Sequence, residues 1–479
     1  MVIYVKIICM TSELELLMPG GSFEKVKHAL AYGADAVYVG VPRYSLRARE
    51  NEFFDIDLVQ ETVDYVHKQG KKAYLTCNIY AHNNKINGFM DAMAEMMHCK
   101  PDAFIMTDPG LIALTKEKFP KATIHLSTQA NNTNWAQAKF WKDYGVDRII
   151  LARELQVKEI REIHENVPDV ELEAFVHGSI CMAYSGRCLL SNYLSYRDAN
   201  QGTCSHSCRW GFKVYANDDE RYDAIGHFDD VDKNYVPLEG EFALEEPQRK
   251  GEYMTVDEDE YGTYIMNSKD LCAIDYLKDL IEAGVISFKV EGRNKTEYYA
   301  SIVARAYRRA LDELQAEGKL SQETRNNTLF ELSTTANRGF IPGFYARNAK
   351  AKAQELEKDH CVQTHLFAGK LVNYDPQSQV AELQVKNRLD KGDKITFISP
   401  SQEFELELGD FFYKAHPEFI PEGVRENQIK IIEHAHGGGN NIFVKMPQAL
   451  SEGFEHAIFR MEYKEAQTLR QRTPQAAQA

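Results

Sequence analysis

The sequence predicts an α/β chain: a closed (β/α)8 barrel with one inserted cysteine-rich loop, followed by a small antiparallel β-barrel domain. Three observations carry this. Short apolar runs alternate with helix-spaced segments as far as about residue 345. That rhythm breaks after Gly178, in a stretch that holds four cysteines. From about Gln363 the pattern changes to period two.

Runs of β-branched and aromatic residues place strands at Leu14–Met18, Ala36–Val39, Lys72–Asn78, Ala103–Thr107, Thr123–Thr128, Arg148–Ala152 and Glu171–His177, with an eighth at Ser287–Glu291. Helices fill the gaps. Ser22 is expected to cap the first, where Phe23, Val26, Ala29 and Leu30 share a face and Gly33 stops the run. Asp55 is expected to open the next, which ends at Gly70. Strands alternating with helices imply a parallel sheet with right-handed crossovers, and eight of them suggest a closed, TIM-like barrel. The competing open sheet would carry G-x-G-x-x-G after its first strand, and that fingerprint is absent.

The expected organisation is a barrel domain over residues 10–346 containing an insertion at 179–262, a helical linker at 347–362, a β-domain at 363–462 and a frayed tail at 463–479. In the β-domain, seven alternating segments separated by Asp, Gly and Asn turns read as a small barrel.

No run of eighteen apolar residues is present, so a membrane-spanning helix is not expected. The start is a poor signal peptide, interrupted by Lys6 and lacking a small-residue cleavage site. Nine cysteines, an odd number, in a long chain argue for a reducing compartment, and the expected location is cytoplasmic. The net charge is 56 − 71 = −15, which by itself disfavours a nucleic-acid partner. Between Tyr215 and Glu260, however, 16 acidic and 4 basic residues give −12, leaving −3 for the remainder. One acidic stretch dominates the balance, and a basic face elsewhere remains compatible with it.

Five cysteines (Cys9, Cys77, Cys99, Cys272 and Cys361) are scattered and read as packing residues, Cys272 within a helix-like stretch capped by Asn267 and Ser268. The other four fall within 28 residues as Cys181-x6-Cys188-x15-Cys204-x3-Cys208. Four soft thiolate donors suit zinc or an iron–sulfur cluster, and only the Cys204–Cys208 spacing resembles a zinc pair, so the pattern favours the cluster. Cys181 lies just past the seventh strand, at the end of the barrel where active sites form. The same rim is expected to collect Asn78, Asp108, Ser127, Gln129, Arg153, Glu154, His177, Glu291 and Arg293, with Arg187, Arg209 and Lys289 nearby. Arginine and lysine gathered there would hold a small dicarboxylate. His177 and Glu291 are the expected proton-transfer residues.

The segment from Glu173 through Phe175, Gly178, Ser179 and Cys181 to Gly186 and Cys188 resembles the signature of the collagenase-like (U-thirty-two) peptidases. LELLMPGGSFEKVKHALAYGADAVYVG, NQGTCSHSCRW and NSKDL…SFKVEGRNK carry the resemblance over roughly Leu14 to Ala346. The period-two region is similar to the C-terminal domain of a subgroup that includes prephenate-dependent hydroxylases of the transfer-RNA wobble uridine. That resemblance implies a [4Fe–4S] cluster on Cys181, Cys188, Cys204 and Cys208, prephenate as co-substrate and tRNA as partner. Cys272 competes with Cys208 for the fourth ligand position, and Cys208 is expected. An electron-transfer partner is left open. Peptidase chemistry is the rival reading, yet neither H-E-x-x-H nor G-x-S-x-G occurs. An RNA-binding protein with structural zinc is a third. Residues 218–241 read as an acidic insertion whose carboxylates would repel phosphate on that side.

Overall fold

The computed structural model describes residues 14–46, 52–53, 55–181, 183–201, 203–209, short strands between 215 and 263, and residues 268–346, 364–413, 430–438 and 441–463. Seven strands, β1 (Glu15–Gly20), β2 (Ala36–Gly40), β3 (Lys72–Cys77), β4 (Ala103–Met106), β5 (Ile124–Leu126), β6 (Arg148–Ile150) and β7 (Glu171–Ser179), pair in parallel in chain order. The helices between them are α1 (Phe23–Ala31), α2 (Ile56–Lys68), α3 (Asn83–His98), α4 (Pro109–Lys118), α5 (Trp135–Asp143) and α6 (Val157–Asn166). The expected caps form: the Ser22 hydroxyl accepts from Lys25 N at 3.3 Å and the Asp55 carboxylate from Asp57 N at 2.9 Å. Asp108 caps α4 and also takes the Ala81 amide at 3.0 Å, so it is a structural carboxylate.

After β7 come α7 (Leu190–Ser195) and a short 3-10 turn, Ser207–Arg209. The insertion, read from sequence as lacking periodicity, contains three two-stranded antiparallel ladders. β8 (Tyr215–Asn217) pairs with β9 (Tyr235–Pro237), β10 (Phe242–Glu245) with β11 (Tyr253–Val256), and β12 (Glu258–Asp259) with β13 (Gly262–Thr263). β9 therefore divides the acidic stretch expected at 218–241, and the rest of that stretch lies outside the described residues.

β14 (Asp270–Cys272) corrects a second expectation. Cys272 lies on a strand and not on a helix, because this segment pairs antiparallel with the end of β7, Cys272 opposite His177. The helix α8 (Leu277–Glu282) starts only later. β15 (Val285–Val290) then pairs with both β1 and β7 and closes the eight-stranded barrel. α9 (Glu297–Glu317), α10 (Gln322–Ser333) and β16 (Phe340–Ile341) complete the domain. The linker expected at 347–362 lies outside the described residues, as do Cys9, Cys361 and the tail from 464.

The second domain comprises β17 (His365–Asp375), β18 (Val380–Val385), β19 (Leu389–Asp390), β20 (Lys394–Ile398), β21 (Glu403–Glu407), β22 (Phe411–Tyr413), β23 (Lys430–Ile432), β24 (His434–Ala435), β25 (Ile442–Lys445) and β26 (Ile458–Glu462). Eight of these form one antiparallel sheet, ordered β21-β20-β26-β17-β18-β25-β22-β23, a half-barrel around Phe397, Phe411 and Phe459. It docks on the first domain through specific polar contacts. The Tyr32 hydroxyl donates to Ile398 O at 2.7 Å, and Arg305 bridges Glu331 at 2.6 Å and Glu403 at 3.0 Å. No helix among the described residues is long and apolar enough to cross a membrane.

Candidate active-site rim

The barrel interior is polar in its middle. Glu173 on β7 accepts from Lys289 Nζ at 2.7 Å and from Arg148 and Ser287, each at 3.3 Å. Glu15 on β1 takes Tyr74 at 2.6 Å and Ser287 at 2.8 Å, and is also paired with Arg148. Two carboxylates balance two cations there, and all four are buried. Burial alone would raise the Glu15 carboxyl, but the Arg148 guanidinium and the hydrogen bonds outweigh it and hold it below its ordinary range. Burial pulls the Lys289 ammonium down, and Glu173 offsets only part of that. Lys289, expected near the rim from sequence, is therefore an interior lysine bound to Glu173. It sits over the rings of Tyr38 at 4.4 Å and Phe175 at 5.5 Å.

Arg293, just beyond β15, is also turned inward. It donates to Ser45 Oγ at 2.7 Å, to Thr76 Oγ1 at 3.2 Å and to Leu46 O, tying the loop after β2 to β3 and β15. Asn78 serves the same loop, its Oδ1 accepting from Leu46 N at 3.1 Å. His177 is placed differently from the expected base. Its ring is buried between Tyr299, Tyr307 and Phe340, with Nδ1 3.3 Å from the Tyr307 hydroxyl, and burial pushes its pKa down to about 4. That ring faces the packing under α9. Glu291 is half-buried at the end of β15, its amide donating to His177 O at 2.9 Å. Gly178 lies against it with φ +105°, where a Cβ would come within 2.5 Å of Glu291 O, so only glycine fits this crossing.

The cysteine loop is fastened across the open end. Arg153 Nη1 donates to Ser179 O at 2.9 Å and Nη2 to Ser185 Oγ at 2.6 Å. The Ser268 hydroxyl donates to Ile180 O at 2.7 Å, and Asn131 Nδ2 to Ser185 O at 3.1 Å. Farther along, Tyr80 N donates to Asn200 O at 3.3 Å. Under this loop Arg153 Nε, Gln129 Oε1 and Glu154 Oε2 are buried without a hydrogen-bond partner. Such atoms are costly unless something else meets them. A Cβ on Gly186 would fall 2.1 Å from Gln129 Oε1, so the loop passes directly over that amide. Gln129 and Arg153 are legible in the sequence as rim residues, whereas the Ser185 and Asn131 contacts that fasten the lid are long-range and are not. Arg187 is exposed, 5.9 Å from the Tyr80 ring, and the side chain of Arg209 lies outside the described residues.

Cys181, Cys188, Cys204 and Cys208 are reduced cysteines on this lid, Cys181 exposed and the others half-buried. Cys204 Sγ accepts the His206 amide at 3.4 Å, a bond that suits a thiolate ligand. The donor chemistry fits a thiophilic metal or cluster, although among the described residues no three His, Cys, Asp or Glu side chains are grouped as ligands. Cys272, by contrast, is buried beside the Tyr307 hydroxyl at 3.8 Å, and burial pushes its thiol up to about 11. It is a packing cysteine.

The peptidase family U32 model matches residues 21–355, and the family's C-terminal domain model matches residues 363–454. The chain belongs to peptidase family U32. Two relatives, each called tRNA hydroxylation protein P, come from Haemophilus influenzae and Escherichia coli. They are 41% and 42% identical to this chain, and each alignment spans 91% of it and 94% of the relative. The 23S rRNA 5-hydroxycytidine C2501 synthase of Escherichia coli is 31% identical over 66% of this chain and 42% of that protein.

Proposed function

We propose that this protein is an RNA hydroxylase acting on the wobble uridine of tRNA to give 5-hydroxyuridine. The observation that carries the proposal is the similarity, over nine-tenths of both chains, to proteins named for tRNA hydroxylation. The location of the lid at the C-terminal ends of the barrel strands is consistent with it. An anticodon base is already in a loop and reaches such a rim without opening a duplex.

Prephenate is the proposed co-substrate. A dicarboxylate needs donors at the mouth, and the buried Arg153 Nε and the exposed Arg187 supply them, whereas Lys289 and Arg293 hold the wall behind. Glu291, half-buried at the end of β15, is the proposed proton acceptor. Cys181, Cys188, Cys204 and Cys208 would hold a [4Fe–4S] cluster, which when bound supplies electron-transfer or Lewis-acid capacity beside the mouth.

Deleting the gene and measuring 5-hydroxyuridine in tRNA by mass spectrometry tests the reading. Loss of the modified base in a strain with no redundant route is expected, and an unchanged level overturns it. The family's name raises peptidase activity as an alternative. Gelatin cleavage by the purified protein, retained after all four lid cysteines are changed to serine, would favour that reading.

A further inference from the structure

We propose that α7 and the residues flanking it form a stacking platform for unpaired RNA bases. This rests on the RNA reading above and deepens it by naming the surface that grips the strand. Leu189 and Tyr193 are joined across the first turn of α7 by the 2.8 Å bond from Tyr193 N to Leu189 O and so share a face, and Tyr196 follows as the residue that ends the helix. A surface helix ordinarily buries such a stripe. Here the stripe faces solvent, with Leu189 78%, Tyr193 77% and Tyr196 93% exposed, while Ser191 is the residue turned inward. Serine hydroxyls hold the inner face: Ser191 Oγ accepts from Ser205 N at 2.9 Å and donates to Arg197 O at 2.6 Å, and Ser195 Oγ lies 2.9 Å from Ser205 Oγ.

The backbone supplies an independent sign. Tyr196 ends the helix at φ +54°, a left-handed conformation that bulky residues rarely adopt and that glycine would take freely. Keeping a ring at this strained and fully exposed position has no packing benefit. Strain of this kind gathers at functional sites.

Charge selects the occupant. Residues 179–209 contain Arg187, Arg197 and Arg209 against Asp198, a local +3 − 1 = +2 in a chain of net −15. Exposed aromatic rings on a segment of net positive charge, in a loop bound to the barrel mouth, match bases stacked along a single negatively charged strand.

The test uses the full-length protein and a fluorescein-labelled anticodon stem-loop RNA, read by anisotropy, with melting temperature and sedimentation recorded for each variant. Tyr193→Ala and Tyr196→Ala are each expected to weaken binding roughly five- to hundredfold, the range for losing one stacked base. Tyr193→Trp should keep it. Tyr196→Gly should lose affinity while melting no lower than the wild type, because the strained φ is relieved. Wild-type affinity in both alanine variants overturns the platform, and the 5-hydroxyuridine measurement then still judges the RNA reading separately. If RNA affinity stays constant while Tyr193→Ala converts a dimer to a monomer, the stripe is an interface between copies and the platform is likewise overturned.

Discussion

Inside the barrel the Lys289 ammonium donates a 2.7 Å hydrogen bond to the Glu173 carboxylate, and neither side chain is more than 4% exposed. The pair holds together strands that close the barrel, since β15 bonds to β7 directly. Replacing such a pair by apolar residues is often neutral, but removing one partner strands a buried charge and costs about 3–5 kcal/mol. Lys289→Met is therefore expected to lower thermal stability markedly. Glu173→Gln added to it should restore part of the loss, because without Lys289 two buried carboxylates share Arg148, and the second change leaves Glu15 alone against it. A double variant as unstable as the two losses summed would show that the two residues act independently.

His177 sets an acid limit on the fold. An unfolded imidazole takes its proton near pH 6.5, whereas burial holds the folded one to about 4. Between these values the unfolded chain binds more protons, so the contribution is fully present above pH 6.5 and is lost as pH falls toward 4. The loss amounts to about 3 kcal/mol for this group. His28, also held to about 4, acts in the same direction. His177→Phe should reduce the fall in melting temperature between pH 7 and pH 5 without removing it. The Tyr307 hydroxyl keeps its 2.8 Å bond to Val176 O in that variant, and RNA hydroxylation should persist. Loss of hydroxylation by a folded His177→Phe protein would return His177 to the chemistry.

What could be read from the sequence follows from the range of each interaction. Strands such as Ala36–Gly40, buried on both faces, read as continuous apolar runs, and Ser22 and Asp55 cap their helices by contacts two or three residues away. The inward turn of Lys289 depends on Glu173, 116 residues earlier, and no local pattern encodes it. Cys272 reads as helical in the sequence because the short strand Asp270–Cys272 runs into Ile274 and Leu277, whose spacing with Leu271 imitates a helical stripe. α7 lies in the stretch that reads from sequence as lacking periodicity, and the residue it buries is Ser191 rather than an apolar one, so no apolar stripe announces it.

The acidic stretch offers a direct test of loop and scaffold. Asn217 and Tyr235 are paired across the β8–β9 ladder, so residues 218–234 begin and end at neighbouring positions. Replacing these 17 residues by about four of Gly and Ser is two halvings of loop length, worth roughly 1 kcal/mol in closure entropy. Melting temperature and bound iron are expected to stay near the wild-type values. Iron lost in this replacement would mean that the segment contributes to the lid.

The fourth thiol separates the two competing cysteines most sharply. Cys208 lies in the turn Ser207–Arg209, on the same lid as Cys181, Cys188 and Cys204, and is half-buried. Cys272 faces Tyr307 from a strand paired with His177, in a place where burial disfavours the thiolate that a metal requires. Cys208→Ser should therefore lower iron and sulfide in anaerobically purified protein and abolish RNA hydroxylation. Cys272→Ala removes one buried sulfur and is expected to cost about 1 kcal/mol of stability with iron content unchanged. Iron kept by Cys208→Ser and lost by Cys272→Ala would move the ligand set from the lid to the seam between β7 and β14. Stoichiometric zinc in place of iron in the wild-type protein would leave the lid intact as a structural site and remove the cluster from the proposal.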